Sequence, residues 1–91
     1  MPIQNFRNRS LRKLFEDGDD RKIPPDMREK LIELLDHLDA AASKKDLDIA
    51  GFHELKGDRK GCFAWKVTAN YRLTFKFKDG DATDVDLEDY H

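Results

Sequence analysis

Cysteine is almost missing from this chain: Cys62 stands alone among 91 residues. One thiol cannot close an internal disulfide, so the fold must rest on its core, and a reducing compartment is expected. Long apolar runs are missing too. No segment approaches the roughly 20 residues of a membrane-spanning helix, and the N-terminus lacks the apolar stretch of a secretory signal. A soluble, cytoplasmic protein with no membrane contact is therefore expected. The five glycines stand singly, which leaves no glycine-rich loop to cradle a nucleotide phosphate. The three histidines have no metal-ligand spacing. Neither a cofactor nor a metal is expected.

What the chain has in quantity is charge. Charged residues make up 40% and apolar residues 38%, with a net charge of -2. Nine aromatic residues (six Phe, two Tyr, one Trp) and a regular apolar pattern argue for a folded domain rather than a solvated coil. The length suits one domain, residues 1–91, with a thin core. The charge is unevenly spread. From Lys56 to Lys78 there are seven Lys/Arg against one acid, and from Asp79 to Asp89 six acids and no base. A local basic face, rather than the average charge, is what a phosphate backbone meets.

Apolar spacing outlines the elements. Ile3 to Phe6 alternates and suggests a short edge strand. Leu11, Leu14 and Phe15 fall at helical spacing within the basic stretch Arg7, Arg9, Arg12 and Lys13. A first helix is expected there, capped near Asn8 or Ser10 and ended by Gly18. The polar run to Lys22 is expected to be a solvated loop. Pro25, Asp26 and Glu29 suit the first turn of a second helix, whose core face would hold Met27, Leu31, Leu34, Leu35, Leu38 and Ala42. His37 falls off that stripe and is expected to be an exposed surface histidine. Ser43 to Ile49 is a polar connector with room for one helical turn. Cys62–Thr68 and Tyr71–Lys78 alternate as strands joined by a tight turn at Ala69–Asn70. Asp79-Gly80-Asp81 makes another turn before a last strand with Val85 and Leu87 inward and Asp84, Asp86 and Glu88 outward. The fold expected is α+β, an antiparallel sheet of about four strands packed on two N-terminal helices.

The second face of that sheet would present Arg72, Lys76 and Lys78, with His53 and Lys56 on or near the preceding strand. RNA is cut without a metal when a base removes the 2′-hydroxyl proton, cations stabilise the phosphorane and an acid protonates the leaving 5′-oxygen. Histidine suits the proton transfers, Arg and Lys the phosphate charge, and Tyr the stacking of a base. His53, Lys56, Arg72, Tyr90 and His91 supply that set. The plainer alternatives are that Arg72 pairs with an acid of the last strand, that Tyr90 caps the core, and that the acid row Asp84, Asp86, Glu88 is a solvated face. Cys62 is expected to be a small core residue.

Several short motifs carry a family resemblance. They are His53-x-Leu55-Lys56-Gly57-Asp58 with Lys60-Gly61 after it, then Asn70-Tyr71-Arg72-Leu73-Thr74-Phe75. Asp79-Gly80-Asp81-Ala82, the terminal Asp89-Tyr90-His91 and Leu14-Phe15-Glu16 complete the set. With them the chain resembles the HigB toxins of the RelE/ParE superfamily, the plasmid maintenance killer proteins of toxin–antitoxin systems, over nearly its whole length. The resemblance implies a compact microbial-ribonuclease-like (RelE-like) fold and a ribosome-dependent mRNA endonuclease acting in the A site. It implies a catalytic set of His53, Lys56, Arg72, Asp89, Tyr90 and His91. Arg59, Lys60 and Lys76 are expected along the RNA, and Asn70 is expected to shape the hairpin turn, with an RNA contact as the lesser alternative. The partners implied are a HigA-like helix-turn-helix antitoxin, the ribosome and mRNA, and operator DNA through the antitoxin complex. Two other readings stay open: a ParE-like inhibitor of DNA gyrase on the same fold, and a non-catalytic antitoxin-binding module.

Overall fold

A computed structural model describes residues 3–49, 51–55, 57 and 61–89. Two helices come first, α1 (Arg9–Asp17) and α2 (Pro25–Ala40), then a 3₁₀ turn at Lys44–Leu47. Four strands follow, β1 (Phe52–Glu54), β2 (Cys62–Lys66), β3 (Tyr71–Lys78) and β4 (Asp81–Asp89). They form one antiparallel sheet in the order β1-β2-β3-β4.

The local chemistry explains where the helices begin and end. Asn8 is the N-cap of α1, its side-chain oxygen accepting from Leu11 N–H at 3.0 Å. That satisfies one of the donors a helix start leaves open. Gly18, at φ 68°, closes the helix by donating to Leu14 O while Asp19 N–H reaches Lys13 O. A left-handed turn of this kind favours a residue without Cβ. Pro25 opens α2, and Met27, Leu31, Leu34, Leu35 and Leu38 form its buried stripe. Each such side chain contributes about 1.5–3 kcal/mol by leaving water. Ala42 does not belong to that stripe. The helix stops at Ala40, Ala41 turns inward at 3% exposure and Ala42 is exposed.

The core lies between α2 and one face of the sheet. Trp65, Phe75 and Leu73 are fully buried there, with Trp65 and Phe75 ring centroids 4.8 Å apart. Burying an indole leaves its N–H in need of an acceptor. Leu47 O, held by the 3₁₀ turn, accepts it at 2.8 Å. His37 is exposed, as expected, yet it takes part in this corner. Its ring meets Trp65 edge-on at 5.6 Å, and its Nε2 lies 2.6 Å from Asp46 O. The loop before α2 is also more ordered than simple solvation implies. Arg21 pairs with Asp19 at 2.9 Å, and Arg28 pairs with Asp20.

Two connections position the second face of the sheet. Asp79 and Gly80 both have positive φ, 53° and 84°. This is the two-residue geometry that matches the twist of a hairpin, for which Asp-Gly is a favoured pair. The β2–β3 connection is longer than a two-residue turn at Ala69–Asn70. Strand β2 ends at Lys66, and the Thr68 hydroxyl accepts from Asn70 N–H and Tyr71 N–H at 3.2 Å each. That side-chain turn competes with the ladder and ends the strand early.

Strand β4 carries a bulge. Thr74 pairs with Asp86 but Lys76 pairs with Thr83, so Asp84 and Val85 together face Phe75, and Asp84 takes φ 53°. The N-terminal segment fixes that irregularity. Ile3 and Phe6 make parallel bridges to Ala82 and Val85. Asn5 accepts from Asp84 N–H through its side chain at 2.6 Å and from Val85 N–H through its backbone at 3.3 Å. The alternating stretch Ile3–Phe6 is thus an edge segment, laid along β4.

Candidate active site on the second face of the sheet

Pleating separates the two faces by chemistry. Leu73 and Phe75 point to the core, whereas Arg72, Thr74 and Lys76 point away. Directly paired residues share a face, so the register assigns the rest. His53 pairs with Ala64, Ala64 with Thr74, and Thr74 with Asp86. One row over, Lys66, Arg72 and Glu88 stand side by side. His53 and Arg72 therefore occupy one face, with β1 and β3 about 10 Å apart across the sheet. His53 is exposed at the short edge strand.

The centre of this face is drier than alternation suggests. Thr74 is 2% exposed and Cys62 8%. The Thr74 hydroxyl donates to Glu88 Oε2 at 2.6 Å, and Arg72 Nη2 lies 3.5 Å from Glu88 Oε1. Both side chains of the Arg72–Glu88 pair are 24% exposed. Glu88 thus spans two strands and tethers a guanidinium with one oxygen while the other is fixed by Thr74. Lys76 Nζ lies 3.6 Å from Asp84 at the bulge. Two of the three acids in the β4 row, Asp84 and Glu88, are therefore paired with β3 and not simply solvated. Cys62 is a small buried residue with a free thiol.

A recess of about 210 Å³ opens beside these groups, lined by Arg7, Cys62, Thr74, Phe75, Lys76, Asp84 and Glu88. It is smaller than the roughly 300 Å³ at which sites for engulfed small molecules begin. A polar hollow of this size suits a contact with part of a polymer.

The structure brings His53, Arg72 and Lys76 to one face and leaves Asn70 exposed in the β2–β3 turn. Asp89, also exposed, pairs with Tyr71 and so falls on the alternate pleat from Arg72. Lys56, Arg59, Lys60, Tyr90 and His91 lie outside the described residues. Thr74 was not singled out by sequence reasoning, Glu88 was named only in the outward acid row, and Arg7 only in the basic N-terminal stretch. A threonine in a strand carries no sign of a buried partner, and the Glu88 role depends on a register that only the bulge sets. Among the described residues no group of three or more His, Cys, Asp or Glu could hold a metal ion, and no helix is long and apolar enough to cross a membrane.

A four-stranded antiparallel sheet backed by two leading helices is the architecture of the RelE-like toxins. The YoeB–YefM complex from Staphylococcus aureus contains a chain of the same fold, with a TM-score of 0.62 at 17% identity, covering 100% of this chain and 99% of that one. The family model of the HigB-like toxins, described as RelE-like toxins of the type II toxin–antitoxin system HigB, matches residues 4–91. "Endoribonuclease HigB" of Proteus vulgaris is 37% identical over 91 residues, covering 98% of this chain and 99% of that protein. "Toxin HigB-1" of Vibrio cholerae is 34% identical over 87 residues, covering 91% and 92%. The chain belongs to the HigB-like toxin family.

Proposed function

We propose that this chain is an endoribonuclease that cuts mRNA in the ribosomal A site by metal-independent acid–base chemistry. The observation that carries the reading is the placement of His53, Arg72 and Lys76 on one face of the sheet, beside a polar recess. Family membership and the relative named Endoribonuclease HigB support the reaction class.

In this mechanism a base removes the 2′-hydroxyl proton and the oxygen attacks the adjacent phosphorus. The bond to the 5′-oxygen breaks, and an acid returns a proton to it. The products are a 2′,3′-cyclic phosphate and a 5′-hydroxyl. His91 and His53 share the proton transfers, since imidazole is the side chain suited to both accepting and returning a proton. Lys56 and Arg72 hold the scissile phosphate and the charge that grows on it. Tyr90 orients the nucleotide by stacking, and Asp89 fixes a neighbouring histidine or cation. Arg59, Lys60, Asn70 and Lys76 contact the RNA on either side. The ribosome supplies an ordered mRNA strand, which converts a weak encounter into a positioned one. A HigA-like antitoxin neutralises the toxin, and the complex reaches operator DNA through that antitoxin.

Mapping mRNA 5′ ends in a translating extract tests this, with a variant lacking only His91 run beside the intact chain. Cuts at A-site codons that vanish in the variant and in ribosome-free reactions are expected. Intact mRNA with undisturbed translation would sink the proposal.

A further inference from the structure

The proposed chemistry leaves the basic start of the chain unused. Arg7, Arg9 and Arg12 are all exposed, and among the described residues no ion pair or hydrogen bond engages their side chains. Their placement runs against local electrostatics. Arg9 and Arg12 are one turn apart at the positive end of α1, and the first turn contains no acid. Like charges at that spacing repel, and the helix dipole disfavours cations there. A bound anion would relieve both at once.

Position supplies the second observation. Phe6, Arg7, Arg9 and Arg12 line a depression of about 390 Å³. Arg7 also lines the recess beside Thr74, Lys76 and Glu88. Its backbone is anchored there, because Arg7 N–H donates to Val85 O at 2.8 Å. One arginine is therefore the shared wall of two hollows, and the basic surface at the start of α1 adjoins the candidate site, where Lys76 stands beside Asp84 and Glu88. Phe6 adds a partly buried ring, backed by Phe15 at 5.8 Å, as an apolar floor.

We infer that Arg7, Arg9 and Arg12, with Phe6, form a single-stranded RNA track that receives the phosphates next to the scissile one. The inference rests on the nuclease reading above. Guanidinium groups grip phosphate oxygens in pairs, and a cationic groove with an aromatic floor is how single strands are held without sequence preference. Continuity with the site favours RNA over an acidic protein segment.

The test is fluorescence anisotropy of the full chain with a labelled 2′-O-methyl oligouridylate, whose blocked 2′-oxygen prevents cleavage. The variants are R7Q/R9Q/R12Q, each single Gln variant, R7K/R9K/R12K, and K22Q/K30Q/K45Q as a control of equal charge change. The triple arginine-to-glutamine variant should bind at least about tenfold more weakly at low salt, with the slope of log K against log salt reduced by about 2. Each single variant should lower the slope by about 0.7. The lysine variant should keep the slope, and the control should stay within twofold of the parent. Parent-like binding by the arginine-to-glutamine variants overturns the inference, and so does salt-independent or absent binding by the parent. Loss of binding to a glutamate-rich peptide with RNA binding retained overturns it in favour of a protein partner. Parent cleavage in the translating extract separates the two proposals. If the parent cuts mRNA and the arginines prove irrelevant, only the track fails. If the parent cuts none, the nuclease reading fails whatever the binding result.

Discussion

Thr74 and Glu88 are joined across β3 and β4 by a 2.6 Å hydrogen bond from a hydroxyl that is almost fully buried. The carboxylate so fixed is the one that meets Arg72. A hydrogen bond to a charged acceptor contributes about 1.5–3 kcal/mol when water is excluded. Glu88 is partly wet, so Thr74→Val should destabilise the chain by about 1–2 kcal/mol. Urea unfolding measures it. A change below about 0.3 kcal/mol would mean that the pair is not a structural tie.

On the proposed mechanism Arg72→Gln should lower mRNA cleavage by about 10²-fold or more, because it would remove the cation assigned to the developing phosphorane. Arg72→Lys should recover only part of it, since an ammonium cannot reproduce the planar fork. Primer-extension rates in a translating extract give the comparison. Full activity in Arg72→Gln would remove Arg72 from the mechanism.

His53 makes a sharper case because it is exposed. His53→Gln should leave stability within about 0.5 kcal/mol while reducing cleavage by about 10²–10⁴-fold. If cleavage and the unfolding midpoint both stay at parent values, the proton transfers belong elsewhere.

Trp65→Phe should cost about 2–3 kcal/mol. It removes buried ring volume and leaves Leu47 O without its 2.8 Å donor. The same change should raise amide exchange across the 3₁₀ turn Lys44–Leu47. Unchanged exchange there would show that the indole bond does not hold the turn.

Acid should weaken the fold through two carboxylates outside the site. Asp19 is held well below the usual carboxylate range by the Arg21 side chain and then its backbone N–H. Asp46 is lowered by the backbone N–H groups of Ala42 and Ser43. In each, the folded chain takes up a proton less readily than the unfolded chain. Their stabilisation is fully present above the unfolded value near ~4 and fades as pH falls through the folded values. The urea midpoint should hold between pH 7 and about 5 and drop below about 4. D19N/D46N should flatten that acid limb, and an unaltered limb would assign it to other groups.

Much of the fold was legible because single residues settle single decisions. Asn8 and Gly18 bound α1, Pro25 opens α2, and the leucine spacing of α2 gives its buried face. Alternation along Tyr71–Lys78 put Arg72 and Lys76 on the face away from the core. Other features depend on pairings that no local pattern records. The Thr68 side chain shortens β2, which alternation alone carried on to Thr68. The bulge at Asp84 needs Asn5, 79 residues earlier, to hold it. Thr74 looked like an outward residue and is buried, because Glu88 and its neighbours close over the middle of that face. For the site, residue types named the candidates, but only register shows that His53, Arg72 and Lys76 share a face and that Asp89 lies on the alternate pleat of β4.

The seam between Ile3–Arg7 and β4 sets a timetable for this protein. Its contacts join residues whose separation nearly equals the chain length, as with Gln4 and Asp81 at 77 positions. Closing so long a loop is the slow part of assembling a small domain. Arg7 waits at one side of the recess for Lys76, Asp84 and Glu88 to arrive at the other. A nascent chain therefore has its helices well before it has a recess. A chain built this way has no such recess until β4 has emerged and found the N-terminal segment.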